Sequence, residues 1–222
     1  MTFEDYWHQA LNHYQNEAHI RARFPRLRTA AELRSVTDDR YLSAISQRVF
    51  RAGMRHSVVD SRWPAFEEQF WGFDPRACQL IDDARFEQLM LNAELIRHWR
   101  KMKTIPINAQ MVSDISREFG SFGDFIAQWP SDDIVSLWLL FKKRGAFLGG
   151  DGGARVLRMF GKDTFVLSND VVRVLVNQGV VSAKPTGLRD LHRVQAYFND
   201  LQEQSGLPLS AVSTVLAMSI GP

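Results

Sequence analysis

The stretch FKKRGAFLGGDGGARVLRMFG, from Phe141 to Gly161, determines how the rest of this sequence is interpreted. Five of the fourteen glycines fall between Gly145 and Gly153. A helical pattern rich in apolar residues precedes them, and an amphipathic helical pattern follows. The stretch therefore predicts two helices joined by a tight turn at Leu148-Gly149-Gly150-Asp151-Gly152.

This turn has the chemistry of an anion site. Glycine permits positive φ and close backbone approach, and a turn that feeds a helix N-terminus directs unpaired N–H groups outward. The basic residues that flank it favour phosphate oxygens, so a DNA backbone is a natural ligand; these residues are Lys142, Lys143, Arg144 and Arg155. The alternative is a flexible glycine loop beside a solvated basic helix end. Asp151 favours that alternative, because its charge repels phosphate.

Outside the turn, nearly every segment has helical periodicity, so the predicted fold class is all-α. Pro106 is expected to break or kink a long run, and residues 164–167 are ambiguous with a strand. Trp63, Phe70 and Trp71 are expected in the core. The predicted helical regions are Phe3–Ile20, the run after Thr37, starts at Asp74-Pro75 and Asp82-Asp83, Ala93–Phe119, Ser131–Arg144, Thr186–Gln204 and a short helix after Pro208.

Composition allows a globular domain of one or two lobes. The chain has 222 residues, of which 45% are hydrophobic and 23% charged, with a formal net charge of +2. Cys78 is the single cysteine, which excludes an internal disulfide and a thiolate-rich metal site. The N-terminus lacks a secretory leader and no apolar run is long enough to span a membrane, so a cytoplasmic protein is expected.

Four further segments carry a family resemblance together with the turn. Lys142-Lys143-Arg144-Gly145 enters the hairpin, and Leu148–Gly152 matches the L-P-G-x-G turn of the helix-hairpin-helix glycosylase superfamily. The ordered set resembles the DNA-3-methyladenine glycosylase I family over about Asp38 to Gly161. The remaining segments are Phe50-Arg51-Ala52-Gly53-Met54 (its Q-A-G-L motif), Phe66–Phe73 with Asp74, and Glu94–Lys101 followed by Asn108-Ala109.

The resemblance implies a two-lobed helix-hairpin-helix DNA glycosylase fold. One helical lobe would span roughly 36–160 and carry the hairpin at 132–160, and the other would combine 1–35 with 161–222. The implied activity is hydrolysis of the N-glycosidic bond of alkylated purines, foremost 3-methyladenine, in base excision repair. The implied partner is double-stranded DNA with alkylated bases, bound by a monomer without a cofactor.

The resemblance also identifies candidate site residues, some of which depart from the family pattern. His56 falls where the family has its base-stacking tryptophan, and Arg48 falls where it has a base-recognising glutamate. The superfamily's catalytic aspartate position falls on Ser168, with Asp170 two residues later. The family's zinc site needs two cysteines, so no metal is expected here.

Each candidate also has a structural interpretation. Ser168 suits a helix N-cap, and Asp170 would be favoured by the helix dipole in the same first turn. His56 is alternatively an ordinary packed or surface residue. Arg48 would oppose a cationic base, so it is expected to face phosphate or to pair with Glu67 or Asp39.

Three more residues are candidates for the base pocket. Tyr6 and Trp7 are aromatic candidates for its wall, although their helical spacing equally suits the core. Asn108 is a candidate for lining or supporting the cleft.

Two other functions remain open. The departures at His56 and Arg48 favour a non-catalytic DNA-binding protein with a degenerate base pocket. The other alternative is a helical scaffold for protein contacts.

Overall fold

The computed structural model describes residues 1–221, which form α-helices and short turns of 3₁₀-helix without a strand, as the all-α prediction requires. The helices in chain order are α1 Phe3–Tyr14, α2 Glu17–Arg21, α3 Ala30–Arg34, α4 Asp38–Arg51, α5 His56–Gln69, α6 Pro75–Gln79, α7 Asp83–Leu91, α8 Trp99–Met102, α9 Thr104–Phe119, α10 Phe122–Gln128, α11 Ile134–Arg144, α12 Gly152–Phe160, α13 Asn169–Asn177, α14 Leu188–Ser205 and α15 Leu209–Met218.

The chain divides into two compact units. The first unit comprises residues 1–27, 130–137 and 161–222, and the second comprises 28–129 and 138–160. The start of α11 thus clusters with the first unit, and its end, with the hairpin, clusters with the second.

The second unit is built around α4, which packs against α9, α12 and α5. A series of stacked aromatic rings fills its core: Trp63 and Phe66 lie 4.9 Å apart, and Phe70 and Phe73 5.6 Å apart. Tyr41 meets Phe160 edge to face at 4.6 Å, which joins α4 to the end of α12. Burial of these large rings holds the hairpin helices on a rigid core.

In the first unit, α15 packs against α1, α13 and α14. Phe165 stacks on Phe198 at 4.1 Å, and both rings are fully buried. The carboxylate of Asp163 accepts hydrogen bonds from the amides of Leu209 and Ser210, each at 2.9 Å. These bonds satisfy the first amides of α15, so an otherwise apolar helix can begin inside the unit.

Several boundaries differ from the sequence prediction. The first predicted helix is interrupted at Gln15, which adopts a left-handed conformation with φ 54°. The predicted run Ala93–Phe119 is helical only from Trp99, and it breaks at Lys103, between α8 and α9; Pro106 therefore lies in the first turn of α9, where a missing N–H costs nothing. Trp71 is 50% exposed rather than part of the core. The ambiguous residues 164–167 form no strand.

Residues 1–221 contain neither a candidate membrane span nor a candidate metal-binding cluster. No helix in residues 1–221 combines the length and the apolar character that crossing a membrane requires. Within the same residues, no three His, Cys, Asp or Glu side chains gather as a set that could hold a metal ion.

Candidate nucleic-acid interface

The turn between α11 and α12 lies where the sequence predicts it. Its two closing hydrogen bonds run from Gly152 N–H to Gly149 O and from Gly153 N–H to Leu148 O, both at 3.0 Å. Leu148 is buried and anchors the turn, whereas Gly149 and Gly150 are exposed. Gly150 has φ +56°, a conformation that glycine adopts without steric cost.

The exposed end of this turn is free to accept an anion. Within residues 1–221, the amide N–H groups of Gly149 and Gly150 have no protein acceptor. The aliphatic stem of Lys142 lies beside the turn, since a Cβ on Gly149 would stand 3.5 Å from Lys142 Cγ. Two unbonded amides next to a lysine stem are a suitable arrangement for a phosphate oxygen.

Asn108 fixes the segment that enters the turn. Its side chain is fully buried in α9, its Oδ1 accepts from Ala146 N–H at 2.8 Å, and its Nδ2 donates to Ala146 O at 3.3 Å. Gly145 is packed so closely that a Cβ there would lie 2.6 Å from Leu148 Cδ1. Because its side-chain amide bonds both the N–H and the carbonyl of Ala146, Asn108 supports the hairpin rather than lining an open pocket.

The basic residues around the hairpin are not equivalent. Lys142 and Lys143 are exposed. Arg144 instead forms an ion pair with Glu118, with Nη1 3.2 Å from Oε2, and this hydrogen bonding raises the pKa of Arg144 and lowers that of Glu118. Arg155 stands 3.8 Å from the Asp151 carboxylate. Lys142 and Lys143 are therefore the available cations, and Arg144 is already neutralised.

Arg48 pairs with neither Glu67 nor Asp39, so the pairing alternative is wrong, and the alternative that Arg48 faces phosphate stays a prediction. Arg40 holds both acids, with Nη2 2.7 Å from Glu67 Oε2 and Nε 2.9 Å from Asp39 Oδ2. Arg48 Nε is buried and has no hydrogen-bond partner within residues 1–221. Burial, and then the charge of Arg155, lower the pKa of Arg48. The fold therefore leaves the buried Nε of this half-buried cation without a hydrogen-bond acceptor, and the charge of Asp151 offsets its burial only in part.

A second buried cation stands at the same end of α4. Lys101 Nζ donates to the carbonyl oxygens of Phe50, at 3.0 Å, and Ala52, at 2.5 Å. These carbonyls lie at the C-terminus of α4, where a positive charge is favoured by the helix dipole. Burial, and then Arg48, lower the pKa of Lys101. Lys101 thus caps α4.

His56 is the first residue of α5 and is exposed to solvent. It therefore fits the surface alternative, not the packed one. Its ring is accessible to a ligand.

The remaining predicted residues belong to the first unit. Ser168 is the N-cap of α13, as its structural interpretation predicts, and its Oγ accepts from Val171 N–H at 3.2 Å. Asp170 lies in the first turn of the same helix and is exposed.

Tyr6 and Trp7 have different environments. Tyr6 is 1% exposed, and its hydroxyl shares a 2.5 Å hydrogen bond with that of Tyr197, so it is a core residue. Trp7 is partly exposed and lines a cavity of about 500 Å³ in the first unit. The guanidinium of Arg21 lies 5.2 Å from its ring centre.

Sequence reasoning missed Phe147, which is half-exposed at the hairpin with φ +60°. A left-handed conformation at an aromatic residue has no sequence signal, since glycine and asparagine are the residues that usually indicate it. Lys101 was missed as a helix cap because its carbonyl partners lie far away in the sequence. The motifs around both residues were recognised, but not their contacts.

Comparisons with known proteins agree with the fold. Residues 33–139 match the family model described as methyladenine glycosylase. An 8-oxoguanine glycosylase/lyase from Methanocaldococcus jannaschii, crystallised with DNA, has 13% identity and a TM-score of 0.56, covering 95% of this chain and 94% of its own. A variant of 3-methyladenine DNA glycosylase I from Staphylococcus aureus has 16% identity and a TM-score of 0.50, covering 67% of this chain and 87% of its own. At these identities the structural likeness establishes a shared fold.

Proposed function

We propose that this chain, which over residues 33–139 belongs to the methyladenine glycosylase family, is a DNA repair glycosylase acting on alkylated purines, foremost 3-methyladenine. The observation that carries the proposal is the hairpin turn with its exposed amides at Gly149 and Gly150. A turn of this kind beside Lys142 and Lys143 holds a DNA backbone phosphate.

Hairpin binding is independent of base sequence. Backbone amides and lysine charges contact phosphate, which carries no sequence information. A repair enzyme needs this property, because lesions occur in every sequence context. The Asn108 contacts with Ala146 keep the turn in one geometry before DNA arrives, which lowers the ordering cost of binding.

Cleavage of the glycosidic bond develops positive charge on the sugar while the base leaves. A 3-alkylated adenine is already cationic and departs as a neutral base, so it needs no general acid. A carboxylate near the sugar then stabilises the cation electrostatically, and water completes hydrolysis. We assign this stabilising role to Asp170, which lies in the first turn of α13, and we assign to Ser168 the cap that orders this helix end.

Base handling is assigned to His56. Enzymes of this type extrude the target base at a cost of about a few kcal/mol, which is lowest for a damaged base. An exposed imidazole at the start of α5 is accessible for stacking on that base. In the first unit, Trp7 is available as a second aromatic surface, whereas the buried Tyr6 is not.

Arg48 favours a second candidate, a DNA-binding protein without base excision. A half-buried and unpaired guanidinium repels a cationic base, which weakens the case for 3-methyladenine at that position. The same cation attracts phosphate, so DNA affinity would be preserved. This candidate differs from the first only in that it releases no free base.

The experiment that separates the two uses duplex DNA treated with a methylating agent. Incubation with the protein followed by hot alkali converts each excised site into a strand break. A glycosylase produces breaks that accumulate with time. A binding protein produces no more breaks than methylated duplex incubated without protein. A gel shift on abasic-analogue duplex, run in parallel, identifies a scaffold by the absence of binding.

A further inference from the structure

Phe147 holds an unfavourable conformation in two respects. Its φ of +60° lies in the left-handed region, which costs an L-residue with a bulky side chain steric energy. Its ring is 50% exposed, although it is apolar. Strained backbone of this kind persists when the surroundings impose it, and it is concentrated at functional sites.

The residues on either side of Phe147 impose its left-handed backbone conformation. On one side, Ala146 is bonded through both its amide and its carbonyl to the buried Asn108. On the other side, Leu148 is buried, and Gly152 approaches so closely that a Cβ there would lie 2.9 Å from the Phe147 carbonyl oxygen. With both neighbours fixed, the Phe147 ring is held at the surface instead of in the core.

The ring is also placed beside groups that favour nucleic acid. The exposed turn at Gly149 and Gly150 follows two residues later in the chain. The guanidinium of Arg100 lies 5.9 Å from the ring centre, close enough for a cation–π contact. An aromatic face next to a phosphate site and a cation is the usual combination for contact with an unstacked base.

We propose that Phe147 is a base-stacking residue, whose ring contacts an unpaired nucleobase of the DNA that the hairpin holds by its phosphate. The inference rests on the proposed function, because it requires a DNA ligand. Excision of a base leaves its former partner unpaired, which supplies the unpaired nucleobase. Stacking on it gives such DNA an additional contact that intact duplex lacks.

The test compares two duplexes of one sequence, one intact and one with an abasic-site analogue, by fluorescence anisotropy titration. Phe147→Gly should weaken binding of the abasic duplex by about 5- to 150-fold, the range that base–aromatic stacking supplies, and should affect intact duplex much less. Phe147→Trp should retain the preference. The melting temperature of Phe147→Gly should stay within about 3 °C of wild type, because glycine adopts positive φ without a Cβ clash.

Trp71 offers a closely matched control. It is also 50% exposed, has φ +52°, and has Arg85 5.5 Å from its ring centre, but it lies outside the hairpin. Trp71→Gly should therefore leave both affinities unchanged. If wild type binds DNA, the inference is overturned when Phe147→Gly loses the same affinity for both duplexes or loses affinity for neither. If wild type binds neither duplex, the proposed function and the inference about Phe147 both fail.

Discussion

Arg48 is a cation that the fold keeps half-buried without a partner. Its Nε is out of contact with solvent and unbonded, and the acids expected to neutralise it are held by Arg40. A buried donor without an acceptor destabilises the folded state. The arginine is therefore unfavourable for folding, which is typical of a residue kept for binding.

Replacing this residue should consequently stabilise the protein. We expect Arg48→Gln to raise the free energy of unfolding by about 1 kcal/mol, since the shorter neutral side chain removes an unsatisfied charge. Urea denaturation measures the free energy of unfolding of each variant. Arg40→Gln is the control and should lower the same quantity, because it breaks the pair with Glu67. A loss of stability in Arg48→Gln comparable to that in Arg40→Gln would show that Arg48 has a partner after all.

The hydrogen-bonded pair of the buried Tyr6 and the half-buried Tyr197 predicts how stability depends on pH. Burial, and then the hydrogen bond with Tyr197, raise the pKa of Tyr6 above its usual value of 10.0. Above pH 10 the unfolded chain therefore loses this proton while the folded chain keeps it, so stability falls as pH rises. We expect the melting temperature to decline above pH 10 and to decline less steeply in Tyr6→Phe. Identical slopes for the two proteins would contradict this assignment.

Asp170 is the residue on which the proposed chemistry depends most. We expect Asp170→Asn to slow release of a cationic base by about 10- to 1,000-fold, the effect of removing one electrostatic stabiliser of the charge that develops on the sugar. Single-turnover kinetics on methylated duplex measure the rate. Asp190 also lies in a helix first turn, at the start of α14, so Asp190→Asn is the control and should be fully active. Full activity of Asp170→Asn would mean that another group stabilises the sugar.

At the scale of elements, local sequence signals were sufficient for most helix ends. Asp74 and Asp82 begin helices as predicted, because each side-chain oxygen accepts from an amide of the first turn. The hairpin was also predictable, since clustered glycines between two helical patterns have few other outcomes. The contact of Asn108 with Ala146 and the pairing of Arg40 with Glu67 were not predictable, because each joins segments distant in the sequence.

The hairpin itself can be tested with one substitution. We expect Gly150→Leu to reduce affinity for every duplex, because a side chain at the turn shields the amides that hold phosphate. Stability should fall by only about 1–2 kcal/mol, since positive φ is strained but no atom lies within 4 Å of the new Cβ. Anisotropy titrations on unrelated duplexes, with thermal melts alongside, provide the measurement.

Gly179 is the matched control for this substitution. It has φ +68° and open space around it, so Gly179→Leu introduces the same strain without touching the hairpin. Its affinity for DNA should equal that of wild type. Unchanged affinity in Gly150→Leu would exclude the hairpin turn from DNA binding.

At the scale of the whole molecule, the candidate residues divide between the two compact units. The second unit provides the hairpin, His56 and Arg48, and the first provides Ser168, Asp170 and Trp7. The family match covers residues 33–139, so it lies in the second unit except for residues 130–137. The family match therefore bears most on the unit that carries the hairpin, and the assignment of chemistry to Asp170 requires its own evidence.

The most direct test of the whole account is identification of the released base. Methylated duplex DNA is incubated with the protein, the small molecules are separated by chromatography, and each base is identified by its mass. The account predicts free 3-methyladenine, accompanied by an equal number of abasic sites in the DNA. Absence of any free alkylated purine, from protein that still binds the duplex, would contradict it and leave a DNA-binding protein as the function.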